Sequence, residues 1–298
     1  MASEPGAGAT GARAMTSHRL QLPHGTPADA VLTMIRNVLP DARLEDGGID
    51  IGGGAVLVED ERRPSRWTLR TPRVRDSEPA EDLPDSHGYG RAFADGMPFG
   101  DEREALDLAW SLARRLDGAV VTDAHARLEP HPCHVRDLFV TSPNALLAAD
   151  LLALVQSVEP AAELVTPPPE ADTTGYMLRI PIGDAGDASG IATAGAGAVL
   201  LVPSADDPQD EILLRVGPTS RPTALEALPW LEGAVDYEIV HEMLDELDAE
   251  IDAPDDATAA RWTEIYRRIG LLAGLIVETV GGYIVDLEGF LVDPADLV

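Results

Sequence analysis

The chain has 298 residues, 45% hydrophobic and only 4% aromatic, long enough for two cores built on Leu, Val, Ile and Ala. Its 52 acidic residues face 22 basic ones, all arginine, for a formal charge of −30. That field repels a phosphate backbone and argues against nucleic acid as a partner. The single Cys133 excludes an internal disulfide and a multi-cysteine zinc site.

The charge is uneven. Residues 1–150 hold 16 Arg and 24 acids, whereas residues 151–298 hold 6 Arg and 28 acids. No apolar run approaches the roughly 20 residues that span a bilayer, so no membrane association is expected. The first residues lack the apolar stretch of a secretion signal. Residues 1–16 read as a disordered tail, with Met15 as an alternative start, and the expected location is cytoplasmic.

In chain order, a short strand is expected at 20–22. A helix follows, with Val31, Met34, Ile35 and Val38 on one face, and Pro40 stops it. A shift of 120 residues carries this pattern, without a gap, onto Leu151, Leu154, Val155, Val158 and Pro160, after a strand at 139–140. Strands are then expected at 55–58 and from Trp67, matched in the second half by 198–202 and from Ile212. An insert at 73–100, rich in Pro, Gly and charge, precedes a helix carrying Ala105, Leu108, Ala109, Leu112 and Leu116. The second half has instead an insert at 219–256, with an expected helix around 235–251. Under a shift of 164, the helix positions fall on Ile269, Leu272, Ala273, Ile276 and Val280. The closing hairpin matches too: Gly118, Val120, Val121, Leu128 and Pro130 fall on Gly282, Ile284, Val285, Val292 and Pro294.

This order predicts an α+β fold: two tandem copies of a split β-α-β, ferredoxin-like unit, each an antiparallel sheet with helices on one face, related by a pseudo-two-fold duplication. The copies would span 17–132 and 133–298, with a proline-stiffened junction near Pro130 and Pro132. The closing helix and hairpin of each copy is similar to that of the FtsZ-binding domain of ZipA. The resemblance implies a helix packed on a sheet and transfers no functional residue.

Several groupings carry chemistry-bearing side chains. His125, His131, Cys133 and His134 are of the right type for zinc or copper, but their spacing fits no known site, so no metal is expected. His241 and Glu242 resemble the start of a zinc-protease helix, yet the second histidine is replaced by Asp245. We read that stretch as an acidic helix with Ile239, Val240, Met243, Leu244 and Leu247 inward. The acidic run Asp245, Glu246, Asp248, Glu250, Asp252, Asp255 and Asp256 lacks the spacing and glycine of a calcium loop and suits docking on a basic partner. The Gly/Ala-rich stretch at 183–198 has no P-loop lysine. In the first insert, Tyr89, Arg91, Phe93, Met97 and Phe99 concentrate interface-type side chains, or else fold back as a lid.

The candidate interaction residues are therefore Tyr89, Arg91, Phe93, Met97, Phe99, Asp245, Glu246 and Asp248, with no catalytic residue and no cofactor. The expected function is a non-enzymatic adaptor for a protein partner, of basic character, through electrostatic steering. The alternatives are a small-molecule binder or enzyme with a cleft between the copies, and an acidic mimic of nucleic acid.

Overall fold

A computed structural model describes residues 14–63, 65–76, 85–131, 137–165, 175–182, 210–244, 251 and 253–297. The chain divides into two compact units, Met1–His131 and Pro132–Val298. Both are α+β, and each contains an antiparallel seven-stranded sheet.

The first unit opens with β1 (Met15–Gln21), whose side chains alternate strictly: Thr16, His18 and Leu20 are buried while Met15, Ser17 and Arg19 are exposed. Helix α1 (Ala28–Val38) starts at Pro27, which has an extended backbone, and buries Val31, Leu32 and Ile35. A four-strand meander follows: β2 (Leu44–Glu45), β3 (Gly48–Gly52), β4 (Ala55–Glu59) and β5 (Arg66–Pro72). After the short α2 (Tyr89–Ala92) comes α3 (Gly100–Arg115), then the hairpin β6 (Ala119–Val121) and β7 (Arg127–Leu128). The strand order is β2-β3-β4-β5-β1-β6-β7. The first strand thus lies between the last strand of the meander and the strand after the second long helix.

The second unit comprises β8 (Leu138–Ser142), α4 (Ala148–Gln156), β9 (Glu163–Val165), β10 (Tyr176–Pro181), β11 (Glu211–Pro218), β12 (Val235–Glu242), α5 (Asp256–Val280), β13 (Tyr283–Asp286) and β14 (Leu291–Val292). Its strand order, β14-β13-β8-β12-β11-β10-β9, repeats that of the first sheet strand for strand. The register agrees as well. The row Leu128, Val120, Leu20, Trp67 lies across the first sheet, and Val292, Ile284, Val140, Tyr237 lies across the second. Both rows face the helices. Burying each large apolar side chain contributes about 1.5–3 kcal/mol. Trp67 and Tyr237 therefore hold equivalent places, and both are buried. The Tyr237 hydroxyl donates to the Asn144 carbonyl (2.8 Å) and accepts from the Leu146 amide (2.8 Å), fixing the turn into α4.

Two sequence expectations need correction. No helix occupies the described part of 235–251: Val235–Glu242 is strand β12, between β8 and β11. Val-Asp-Tyr-Glu-Ile-Val-His-Glu is close to a period-two pattern, and Tyr237, Ile239 and His241 are buried. Helical content in the described part of 219–256 is two short 3-10 turns, Thr223–Leu225 and Leu231–Gly233, and the start of α5. Consequently the counterpart of β5 is β12, and the stretch from Ile212 is the counterpart of β4. The expected strand at 198–202 lies outside the described residues.

No helix among the described residues is long and apolar enough to cross a membrane.

Two glycines at equivalent positions tie the closing hairpin to the first strand. A Cβ on Gly118 would lie 2.5 Å from the Gln21 carbonyl oxygen, and one on Gly282 would lie 2.2 Å from the Thr141 carbonyl oxygen. Gly282 also has φ +105°, which disfavours any side chain. Gly118→Ala and Gly282→Ala are each expected to destabilise by about 1–3 kcal/mol, from a backbone forced apart at the central strand. Gly282→Ala should cost more because of its φ. Urea denaturation of each variant against the parent checks both.

Candidate functional site

The first insert does not present its aromatics to solvent. Tyr89 and Phe93 are buried, and Met97 is packed against the core of the first unit. Phe93 meets His18 edge-on at 5.9 Å, and the Arg103 guanidinium covers the Tyr89 ring at 4.5 Å. Of the insert residues singled out from sequence, Phe99 (46% exposed) and Arg91 lie at the surface. Asp245, Glu246 and Asp248 lie outside the described residues, as do Cys133, His134 and the stretch 183–198. His241 faces the core on β12 rather than lining a helix. Its Nε2 lies 3.0 Å from Asp210, which also pairs with Arg261.

The insert is held by a buried ionic cluster that the sequence does not announce. Arg75, whose side chain is 3% exposed, donates to Glu102 (2.8 Å), Asp123 (2.7 Å) and Asp95 (2.8 Å). Its guanidinium lies 4.6 Å from the centre of the Phe93 ring. Glu102, on the first turn of α3, also accepts from the Val74 amide at 2.6 Å. The Asp123 amide donates to His18 Nδ1 at 3.1 Å, which places the ring proton on Nε2, 3.3 Å from Glu102. Burial alone would push the Glu102 carboxyl up. Its contacts with His18, Arg75 and Val74 outweigh this and hold it below the ordinary range. Asp123 is lowered in the same way: Thr16 and Arg75 outweigh its burial. The cluster joins β1, the segment after β5, the insert, α3 and the hairpin. His18 and Glu102 are fully buried while Asp95 is half exposed, so the cluster runs from the core to the surface and ties these elements together. Among the described residues no group of three His, Cys, Asp or Glu is placed to hold a metal ion.

In the first unit a cleft of about 670 Å³ between the end of α1 and β2–β4 is lined by Leu39, Asp41, Arg43, Glu45, Asp50 and Ile51, among others.

An exposed apolar strip beside carboxylates lies on the second unit. Side chains alternate along each strand, so residues next to the helix-facing row point to the opposite, open face. Direct register gives one continuous row there: Leu291, Val285, Phe139, Glu238, Arg215, Met177 and Val165. The segment 219–234 covers part of it. Leu225, Leu231 and Ala234 bury Val285, and Asp236 anchors the segment by accepting from the Ser220 amide (2.7 Å) and the Thr141 hydroxyl (2.7 Å). Beside this cover an apolar strip stays accessible. Tyr283 is 44% exposed and stacks on Trp230 at 6.2 Å, Leu291 is 38% exposed, and Phe139 is half-buried. Aromatic side chains in such a patch are characteristic of interface cores.

The charge beside the strip is negative. Arg215 is taken up by Glu238 (3.7 Å) and Glu242 (3.4 Å), and Arg179 by Glu163 and Glu211. The five arginines of the second half other than Arg221 are in ion pairs with carboxylates. Nothing in the sequence marked this strip, because Phe139, Trp230, Tyr283 and Leu291 come from four separate segments.

The ionic cluster makes the first unit sensitive to acid. Depressed carboxyls contribute stability above their unfolded pKa values, and that stability is lost as pH falls through the folded values. The stability of the parent should therefore drop steeply as the solution passes below the ordinary carboxylate range. Removing the cation by Arg75→Ala leaves Glu102 and Asp123 without their arginine, while Asp95 keeps Arg73, and should cost about 3–5 kcal/mol at neutral pH. Urea titrations over a pH series, parent against variant, measure both effects, and the acid dependence should be shallower in the variant. No family model matches the chain, and neither a curated protein nor a solved structure does.

Proposed function

We propose that this protein is a non-enzymatic interaction protein built from two diverged copies of one split β-α-β, ferredoxin-like unit, and that its second unit docks a cationic amphipathic polypeptide. The observation that carries this reading is the accessible strip of Phe139, Trp230, Tyr283 and Leu291 beside carboxylates in excess of arginine. The apolar side chains of the partner would cover Tyr283 and Leu291, and its cations would meet the carboxylates beside Glu238. Aromatic anchors supply most of the affinity in such contacts, while the surrounding charge sets association rate and partner choice. Support for the duplication comes from the common strand order and the matching rows through Leu20 and Val140.

The test is anisotropy of a labelled amphipathic peptide of alternating Arg and Leu, titrated with the full chain at low ionic strength. Binding should weaken at least about tenfold in Tyr283→Ser combined with Leu291→Gln, and Trp230 emission should shift on binding in the parent. An absence of binding, or binding indifferent to these substitutions, overturns the proposal.

A further inference from the structure

The corresponding open face of the first sheet has the opposite chemistry. Its central row runs Arg127, Val121, Arg19, Thr68, Val58, Gly48 and Glu45. Position for position, Arg19 stands where the second unit has Phe139, and Arg127 where it has Leu291. In the flanking rows Arg66 and Arg70, on β5, stand where β12 has Asp236 and Val240. Four of the 22 arginines of a chain with charge −30 are thus gathered on one sheet face.

These arginines are not used up internally. Arg127 has a surface partner in Glu129 (2.5 Å), whereas Arg19, Arg66 and Arg70 make no ion pair among the described residues. Arg19 pairs directly with Thr68, so it lies diagonally between Arg66 and Arg70. Like charges at this spacing repel one another, and folding gains nothing from placing them together. Between them Val56, Val58 and Thr68 are half-buried and form an uncharged floor.

We infer that this face binds an extended acidic segment of another polypeptide. The positions of Arg66 and Arg70, four residues apart on one strand, are about 13 Å apart, the distance between carboxylates at i and i+4 of an extended chain. Apolar side chains between those carboxylates would rest on Val56 and Val58. Nucleic acid fits less well, because it carries a charge every ~1.7 Å and would be repelled by a chain of net charge −30. This inference is independent of the apolar strip on the second unit: the elements, the charge sign and the partner all differ.

The experiment uses the full chain and a fluorescein-labelled peptide of Glu, Val and Ser, followed by anisotropy at low ionic strength. The parent should bind, and the triple variant Arg19→Gln, Arg66→Gln, Arg70→Gln should bind at least about tenfold more weakly, with a smaller dependence on salt. Its thermal unfolding should stay close to that of the parent, since the changed side chains lie on the surface. The variant Tyr283→Ser, Leu291→Gln should bind this peptide as the parent does, which separates a failure here from a failure of the second-unit site. The inference is overturned if the triple variant binds unchanged, or if labelled single-stranded DNA binds the parent more tightly than the peptide. It is also overturned if sedimentation shows arginine-dependent self-association, which would make a second copy the occupant.

Discussion

Each unit depends on its first strand being hydrogen-bonded along both edges by strands that arrive much later in the chain. β1 must accept β5 on one side and β6 on the other, and β8 must accept β12 and β13. The close approach on the hairpin side leaves no room for a side chain at Gly118 or Gly282. Once that central pairing forms, the amphipathic helices have one sheet face to cover, and the rows through Leu20 and Val140 become the cores. Long sequence separations make this pairing costly in loop entropy, so it must be compensated by burial along those rows.

The same constraint leaves the opposite face with little to do in the core. Where that face is uncovered, as at Arg19 and Arg70, substitutions cost little stability, because the side chains lie in or near solvent. That freedom explains how two sheets with one strand order present different chemistries, arginines at Arg19, Arg66 and Arg70 against Phe139, Asp236 and Val240. The second unit covers part of its open face with the segment 219–234, clamped by Asp236, and this cover gives the apolar strip one of its walls through Trp230.

Buried charge serves each unit differently from surface charge. The Arg75 cluster gathers three carboxylates and a histidine around one guanidinium, and the Asp210 site joins His241 to Arg261. Their buried members, Arg75, Glu102 and Asp210, must be paired, so losing the partner of any of these is costly. In the first unit the cluster also fastens an insert whose aromatics then complete the core instead of facing a partner. A Gly-rich segment carrying Tyr89, Phe93 and Met97 reads as an interface when only its composition is known. It becomes core because Phe93 sits between His18 and Arg75.

What the sequence by itself determined is the scaffold. The 3.6-residue periodicity of Val31, Ile35, Leu151 and Val155, the Pro40 that follows the cap of α1, and the hairpin match through Gly118 and Gly282 are local patterns, and these persist in the fold. The strand Val235–Glu242 escaped, because its alternation runs into Met243 and Leu244 and the combined stretch imitates a helical repeat. That single misreading displaced the pairing of the middle strands. Tertiary structure alone decided the candidate surfaces. Phe139 joins Tyr283 and Leu291, and Arg19 joins Arg70, only through cross-strand register between segments far apart in the chain. Which side of a strand stays open is settled by where the helices pack, a property that no short window of sequence contains.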